Sequence, residues 1–435
     1  MRRRWGALVA VLAALAVLLG AAPAAAAPAD DTPRPTADPA APTPTAPPAG
    51  GPPQGSAPGG VTVGGDGLDT RGTVVADGAP PLPDGVVAAG WLVADAGTGE
   101  VLAARDPHGR HYPASTLKTL TLLTLAHRLD PALVVEGTVE DEQMEGSKVG
   151  IVAGGRYPVG LLFQALVMQS GNDAANALAR AAGGTAPTIA AMNARALQLG
   201  AFDTVAGSVS GLDVAGQSSS PYDLALFFRE LVADPVTAGL LLTPTAQMPG
   251  FEGRSPGFQI QNQNPLAGYP GTLGGKTGFT DAARHTYVTA AERDGRRLVV
   301  SVMGTENVPL RAADQAARLL DWGFAVPASL TGVGRLVASA DEVPAPPPTR
   351  TATPTPAGPA EVAAGPPAAA PAAGDGGPPA LGLLALGAAA AAVVAATVIG
   401  RRRAVRRTPP PPGAASPGRR APPGSGAGGS PSTPP

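Results

Sequence analysis

Only three lysines occur in the 435 residues, Lys118, Lys148 and Lys276, against 28 arginines. A chain that uses Arg for ordinary surface charge has a reason to keep an amine where it does. A desolvated ammonium can lose its proton near neutral pH and act as a base, which a guanidinium cannot do. In the stretch HYPASTLKTLT, Lys118 stands three residues after Ser115. If Ser115 opens a helix, Lys118 lies one turn later on the same face, within reach of the hydroxyl proton. A helix start also offers unpaired N–H groups and a positive dipole end, which favour an alkoxide and the oxyanion that follows its attack. The spacing therefore suits a nucleophile and its base. A capping serine with a solvated lysine has the same pattern, but no other lysine here has Ser three residues before it, and Lys118 sits in an otherwise apolar run.

Two further segments carry matching chemistry. In MQSGNDAANALA, Ser170 and Asn172 fall at a Gly-containing break between two helical patterns, where polar side chains can point into a cleft. In LGGKTGFT, Lys276 and Thr277 lie on an expected strand beside Gly278, whose missing side chain lets a ligand backbone approach closely. Taken singly, the first is an interhelical turn and the second an edge strand with a charged guard residue. The four histidines offer no rival site. His108 and His111, near Asp106, flank a Gly in an expected loop, His127 and His285 read as structural, and no H-E-x-x-H or G-x-S-x-G segment occurs. No metal or cofactor is expected.

The elements that must position these residues follow from periodicity. GWLVADAGTGEVLAAR gives two alternating runs around a Gly97–Gly99 turn, a hairpin. STLKTLTLLTLAHRL has leucines that nearly encircle the axis, as in a helix buried on most sides. Helical patterns run over 159–168, 172–180, 188–199 and 221–232, and RAADQAARLLDWGF supplies a last helix. Before that helix come LGGKT and HTYVTAAERDGRRLVVSVMG, strands with an Asp294-Gly295 turn. Strands at both termini with helices between predict an α/β (α+β) fold, with an antiparallel sheet closed by the two ends of the domain and a helical region inserted.

Flanking segments set the expected domain plan. Residues 1–27 have three arginines, an apolar run and a small-residue end, the pattern of a secretory signal. Residues 28–83 read as a Pro/Ala/Gly-rich disordered spacer, 84–340 as the catalytic domain, and 341–379 as a second spacer. Residues 380–400 form an apolar run long enough to cross a bilayer, and RRRAVRR opens a basic Pro-rich tail at 401–435. The expected protein is exported, held in the cell membrane by its C-terminal helix with the tail cytoplasmic. Without the signal and tail arginines the exported part is acidic by about twelve charges, which argues against nucleic-acid binding. The absence of cysteine excludes disulfides, thiol nucleophiles and thiolate metal sites.

In the order S-x-x-K, S-x-N, K-T-G, the three segments match the motif set of the penicillin-recognising serine enzymes. From Trp91 to Phe324 the chain resembles the D-alanyl-D-alanine carboxypeptidases of low molecular mass, through GWLVADAGTGEVL, YPASTLKTLT, LLFQALVMQSGNDAANALA, QNPLAGYPGTLGGKTGFTDAA and RLVVSVMG. The resemblance implies a β-lactamase/transpeptidase-like fold and an enzyme that removes the terminal D-Ala from peptidoglycan stem peptides, with β-lactams as covalent inhibitors. It implies Ser115 as nucleophile, Lys118 as base, Ser170 as proton relay and Asn172 as a residue that binds the stem peptide and orients Lys118. Lys276 and Thr277 would bind the substrate carboxylate, and the N–H groups of Ser115 and Phe279 the oxyanion. Arg311 matches a position that reinforces carboxylate binding, although pairing with Asp314 is an equal reading of it. Two segments depart from the family pattern: SVSGLD (208–213) lacks the Asn and His or Thr that often precede its Gly-Leu, and AARHTY follows K-T-G where Ala-Gly-Tyr is commoner. A β-lactamase on the same fold would need a carboxylate for its deacylating water, and no E-x-x-L-N segment lies between Asn172 and Lys276. A catalytically idle wall-binding protein is the reading that intact motifs oppose.

Overall fold

The computed structural model describes residues 34–344. The expected signal peptide, most of the second spacer, the apolar run 380–400 and the basic tail lie outside the described residues. Among the described residues no helix is long and apolar enough to cross a membrane.

The scaffold is a seven-stranded antiparallel sheet in the order β1-β3-β2-β10-β9-β8, with β11 beside β1 on the outer edge of β3. Its strands are β1 (Thr73–Val75), β2 (Gly90–Asp95), β3 (Glu100–Arg105), β8 (Thr272–Thr280), β9 (Arg284–Arg293), β10 (Arg296–Thr305) and β11 (Gly334–Arg335). The remaining strands form two small hairpins, β4 (Val134–Glu136) with β5 (Arg156–Pro158), and β6 (Thr245–Met248) with β7 (Phe258–Gln261). β2 joins the two halves of the sheet by pairing with β10, so residues some 200 apart in sequence close it, as the strands at both ends predicted.

Central strands are buried on both faces, and alternation decides which core each side chain enters. Leu92, Ala94, Val299 and Met303 enter the larger core beneath the inserted helices, whereas Trp91, Val93, Leu298, Val300 and Val302 pack against the C-terminal helix. The helices are α1 (Lys118–Leu125), α2 (Val139–Gln143), α3 (Val159–Met168), α4 (Asn172–Ala181), α5 (Thr185–Gln198), α6 (Pro221–Ala233), α7 (Pro235–Leu242) and α8 (Ala312–Ala325). Start signals are visible in several of them. Ser220 accepts from Asp223 N ahead of a Pro at the first position of α6, and Thr138 and Asp141 form a capping box at α2. α1 is buried almost all round, with Leu117, Leu120, Leu122 and Leu125 in the larger core.

The spacer expected over 28–83 is corrected. From residue 34 the chain packs on the domain: Ala57, Val63 and Leu68 are buried in the larger core, and β1 extends the sheet along β3. Pro and Gly had hidden this because the segment follows the surface of the domain through single-residue pairings, Asp38 with Ala215 and Gln54 with Gly109, which leave no periodic pattern.

Candidate active site

Ser115 stands in a single 3-10 turn, Ala114–Leu117, that runs straight into α1, so the candidate nucleophile lies one turn before the α-helix proper. Ala114 has φ 48, a left-handed conformation that costs a residue with Cβ on the order of 1–3 kcal/mol and persists only when its surroundings fix it. They do so from two sides. Thr116 Oγ1 and Thr286 Oγ1 both donate to Pro113 O, at 2.6 and 2.9 Å, fastening the turn to β9. Gly211, at φ 85, lies against it so closely that a Cβ there would stand 1.9 Å from Ala114 O.

Lys118 Nζ lies 3.1 Å from Ser115 Oγ, 2.6 Å from Asn172 Oδ1 and 2.6 Å from Ser210 O. The last two can only accept. A neutral amine has two N–H groups and one lone pair, so two carbonyl oxygens on the N–H groups leave the lone pair for the hydroxyl. Lys118 is buried, and desolvation, helped by the nearby charge of Lys276, holds its pKa well below the usual lysine range; Asp173 opposes the shift. Asn172, the first residue of α4, is held in turn by Nδ2 donating to Glu145 O at 2.6 Å and by N donating to Ser147 O at 2.7 Å. Beside it Asp173, fully buried, accepts from the amides of Val149, Gly150 and Ile151 at 2.8–3.0 Å, fixing the loop that carries those carbonyls.

Across the cleft Lys276, buried on β8, donates to Ser170 Oγ at 2.9 Å and to Thr277 O at 2.7 Å. Burial lowers its pKa to about 7. Ser170 has φ 55 at the break between α3 and α4, which turns its hydroxyl to this lysine. The half-buried Thr277 follows on the same strand. Gly278 faces the nucleophile turn, where a Cβ would come within 2.8 Å of Ser115 N and 2.4 Å of Thr286 Oγ1. Phe279 comes next, with an exposed ring stacked on His285 at 4.5 Å between centroids.

Of the residues selected from sequence, Ser115, Lys118 and Asn172 form one hydrogen-bonded group, and Ser170 and Lys276 a second. Gly278 brings β8 against the nucleophile turn. Arg311 is set apart: it is an exposed residue at the start of α8, and among the described residues its guanidinium has no hydrogen-bond or ion-pair partner, Asp314 included. Four contributors were missed. Ser210 acts through a backbone carbonyl, Gly211 through the side chain it lacks, and Asp173 through amides of a loop. The fourth, Asp213, accepts from Thr280 Oγ1 at 3.0 Å and ties the 203–219 loop to β8. Asp173, directly after S-x-N, and Asp213, at the end of SVSGLD, are charged residues in segments that the sequence singles out; Ser210 and Gly211 leave no such signal. Of the histidines, His108 is buried against Asp203 at 2.8 Å and His127 pairs with Asp234. Among the described residues no cluster of His, Cys, Asp or Glu could hold a metal.

This arrangement, an antiparallel sheet with a Ser-Lys pair at the start of a buried helix facing a second lysine on an edge strand, is that of the penicillin-recognising serine peptidases. Residues 77–307 match the family described as D-alanyl-D-alanine carboxypeptidase, and the chain belongs to that family. D-alanyl-D-alanine carboxypeptidase DacB2 of Mycobacterium tuberculosis is 46% identical over 255 residues, which are 57% of this chain and 86% of that protein. The crystal structure of a D-alanyl-D-alanine carboxypeptidase from Mycobacterium tuberculosis H37Rv matches with a TM-score of 0.57 at 44% identity, covering 60% of this chain and all of that one. Penicillin binding protein 6B from Escherichia coli matches with a TM-score of 0.51 at 30% identity, covering 57% of this chain and 80% of its own. The chain is accordingly a serine-type carboxypeptidase.

Proposed function

We propose that Ser115 Oγ attacks the carbonyl of the amide between the last two D-alanines of a peptidoglycan stem peptide, while Lys118 Nζ takes its proton. The observation that carries this reading is the pair of carbonyl acceptors on Lys118, Asn172 Oδ1 and Ser210 O, which leave a neutral amine's lone pair only Ser115 to face. The oxyanion sits between the N–H groups of Ser115 and Phe279, where fixed dipoles stabilise the charge as it develops. Lys276, protonated, holds the terminal carboxylate by a charge-assisted hydrogen bond, with Thr277 beside it and Arg311 adding positive charge. Ser170 relays the proton taken up by Lys118 to the leaving amine, D-alanine departs, and water then cleaves the acyl-enzyme. A β-lactam enters the same site and acylates Ser115.

The two lysines need opposite protonation states, and their surroundings favour that division. A cation at Lys276 depresses Lys118, and a carboxylate arriving at Lys276 keeps that residue charged.

The enzyme acts on the cell-wall side of the membrane, exported by its first 27 residues and anchored through residues 380–400. The catalytic test is to incubate the full chain with a peptide ending in D-Ala-D-Ala and assay free D-alanine. Release that is lost in Ser115→Ala supports the reading. Well-folded protein that neither releases D-alanine nor takes up penicillin overturns it. Membrane fractionation, with and without residues 380–400, tests the anchor.

A further inference from the structure

The loop 203–219 touches Lys118, the turn that carries Ser115 and the end of β8 with its tip. Ser210 O accepts from Lys118, Gly211 lies against the nucleophile turn, and Asp213 accepts from Thr280 at the end of β8. The tip is held from α1, where Thr121 Oγ1 donates to Val209 O at 2.8 Å, and from the base of the loop, which together set where the carbonyl of Ser210 stands. Inside the loop, Gln217 Oε1 gathers Gly207 N, Ser208 N and Ser208 Oγ at 2.9–3.1 Å, and Gln217 Nε2 donates to Leu212 O at 3.0 Å. On the outside, both legs of the loop are covered by the N-terminal segment.

That cover meets the loop closely at several points, around a pocket lined by Pro35, Pro48, Pro53, Gly216, Gln217 and Ser218. Asp38 N donates to Ala215 O at 2.8 Å. Gly216, at φ 78, has no room for a Cβ, which would stand 2.1 Å from Thr36 O; at Gly207 a Cβ would come within 3.0 Å of the Cβ of Ala37. Arg34 donates to Thr204 O and reaches Asn193 Oδ1 at 3.5 Å, bringing a cation toward the buried carboxylates of Asp203 and Asp223. Further on, Gly55 N donates to His108 O at 2.9 Å and Arg110 N to Pro53 O at 2.8 Å, so the same segment binds the strand of chain that enters the nucleophile turn. Gly55 likewise has no room for a side chain, because its Cβ would fall 1.6 Å from Asp203 Oδ1. Glycines thus occur on both sides of the contact where the other side comes closest.

We infer that residues 34–57 are a strap that clamps the base of the 203–219 loop, and that by this means they position the carbonyl acceptor of the general base Lys118. The strap is a positioning element for the reaction and touches no substrate. The inference rests on Lys118 acting as base.

The test uses the full chain with residues 36–53 replaced by a Gly/Ser sequence of equal length, with Gly216→Ala as a milder variant that pushes Thr36 away. Acylation by a fluorescent penicillin is followed over concentration, well below the melting temperature of each protein. The strap replacement lowers the limiting acylation rate by about tenfold or more while the half-saturating concentration changes less than about twofold, because only the base is misplaced. A synthetic peptide of residues 34–57 added in excess restores most of the rate, and Gly216→Ala shows a smaller loss of the same kind. Folded strap-replaced protein that acylates at the full rate overturns the inference, as does a loss confined to half-saturation. Should the replacement fail to fold, Gly216→Ala decides, and an unchanged limiting rate there overturns it. Failure of the unaltered chain to acylate would instead remove the reading of Lys118 on which the strap depends.

Discussion

Gly278 and Ser115 meet backbone to backbone: a Cβ on Gly278 would lie 2.8 Å from Ser115 N, closer than real Cβ atoms come. The glycine keeps β8 tight against the nucleophile turn and leaves that N–H open to the oxyanion. Gly278→Ala is expected to push β8 outward and to slow acylation by about 10²–10³-fold, the usual cost of losing one oxyanion donor. Stopped-flow acylation by penicillin checks this, and a rate within a few-fold of the parent would show that the approach is not needed.

Lys118→Arg puts a permanent positive charge where the account needs a neutral amine and removes the base, because a guanidinium holds its proton at every accessible pH. Near the parent's pH optimum acylation should fall by about 10²–10⁴-fold, the range attributed to general base catalysis, and the acidic limb should disappear. Mass spectrometry of Ser115 after timed exposure to penicillin gives the rate directly.

Asn172→Asp puts a carboxylate where Oδ1 now stands, 2.6 Å from Lys118 Nζ. An adjacent anion favours the ammonium and raises the pKa of Lys118. Since the base must be neutral, the acidic limb of the acylation profile should move to higher pH. Because the alkaline limb is set by Lys276, near 7, the bell should narrow and its maximum should fall. A loss of equal size at every pH would assign Asn172 a merely structural role.

Asp173→Ala leaves the amides of Val149, Gly150 and Ile151 without their acceptor in a buried site. The expected cost is about 3–5 kcal/mol, as for removal of a buried charged acceptor with several partners. Urea unfolding measures it, and a cost under about 1 kcal/mol would mean that the loop is held by other contacts.

What the sequence disclosed, and what it hid, divides by whether a side chain does the work. Lys118, Lys276, Ser170 and Asn172 meet in the site through functional groups whose rarity or spacing can be read off the chain, and α3 begins and ends at the expected residues because its apolar pattern is unbroken. Ser210 contributes a carbonyl that any residue could supply. Its segment SVSGLD looked like a departure from the family pattern, yet its backbone contact to Lys118 is in place. The region from Arg34 to Leu68 has the composition of a spacer because Pro and Gly carry no periodicity. Its fit to the domain depends on long-range pairings such as Asp38 with Ala215, which a local pattern cannot register.

The most direct test of a neutral Lys118 facing a charged Lys276 is the pH dependence of the second-order rate of acylation of the unaltered chain by penicillin. Below the pKa of Lys118 the base is protonated and the rate should fall as pH drops. On the alkaline side it should fall as Lys276, near 7 in the free enzyme, loses the charge that draws in the carboxylate. The account predicts a bell whose acidic limb moves upward in Asn172→Asp. A rate flat from about pH 5 to 9 would contradict it, since no amine in the site would then be exchanging a proton with Ser115.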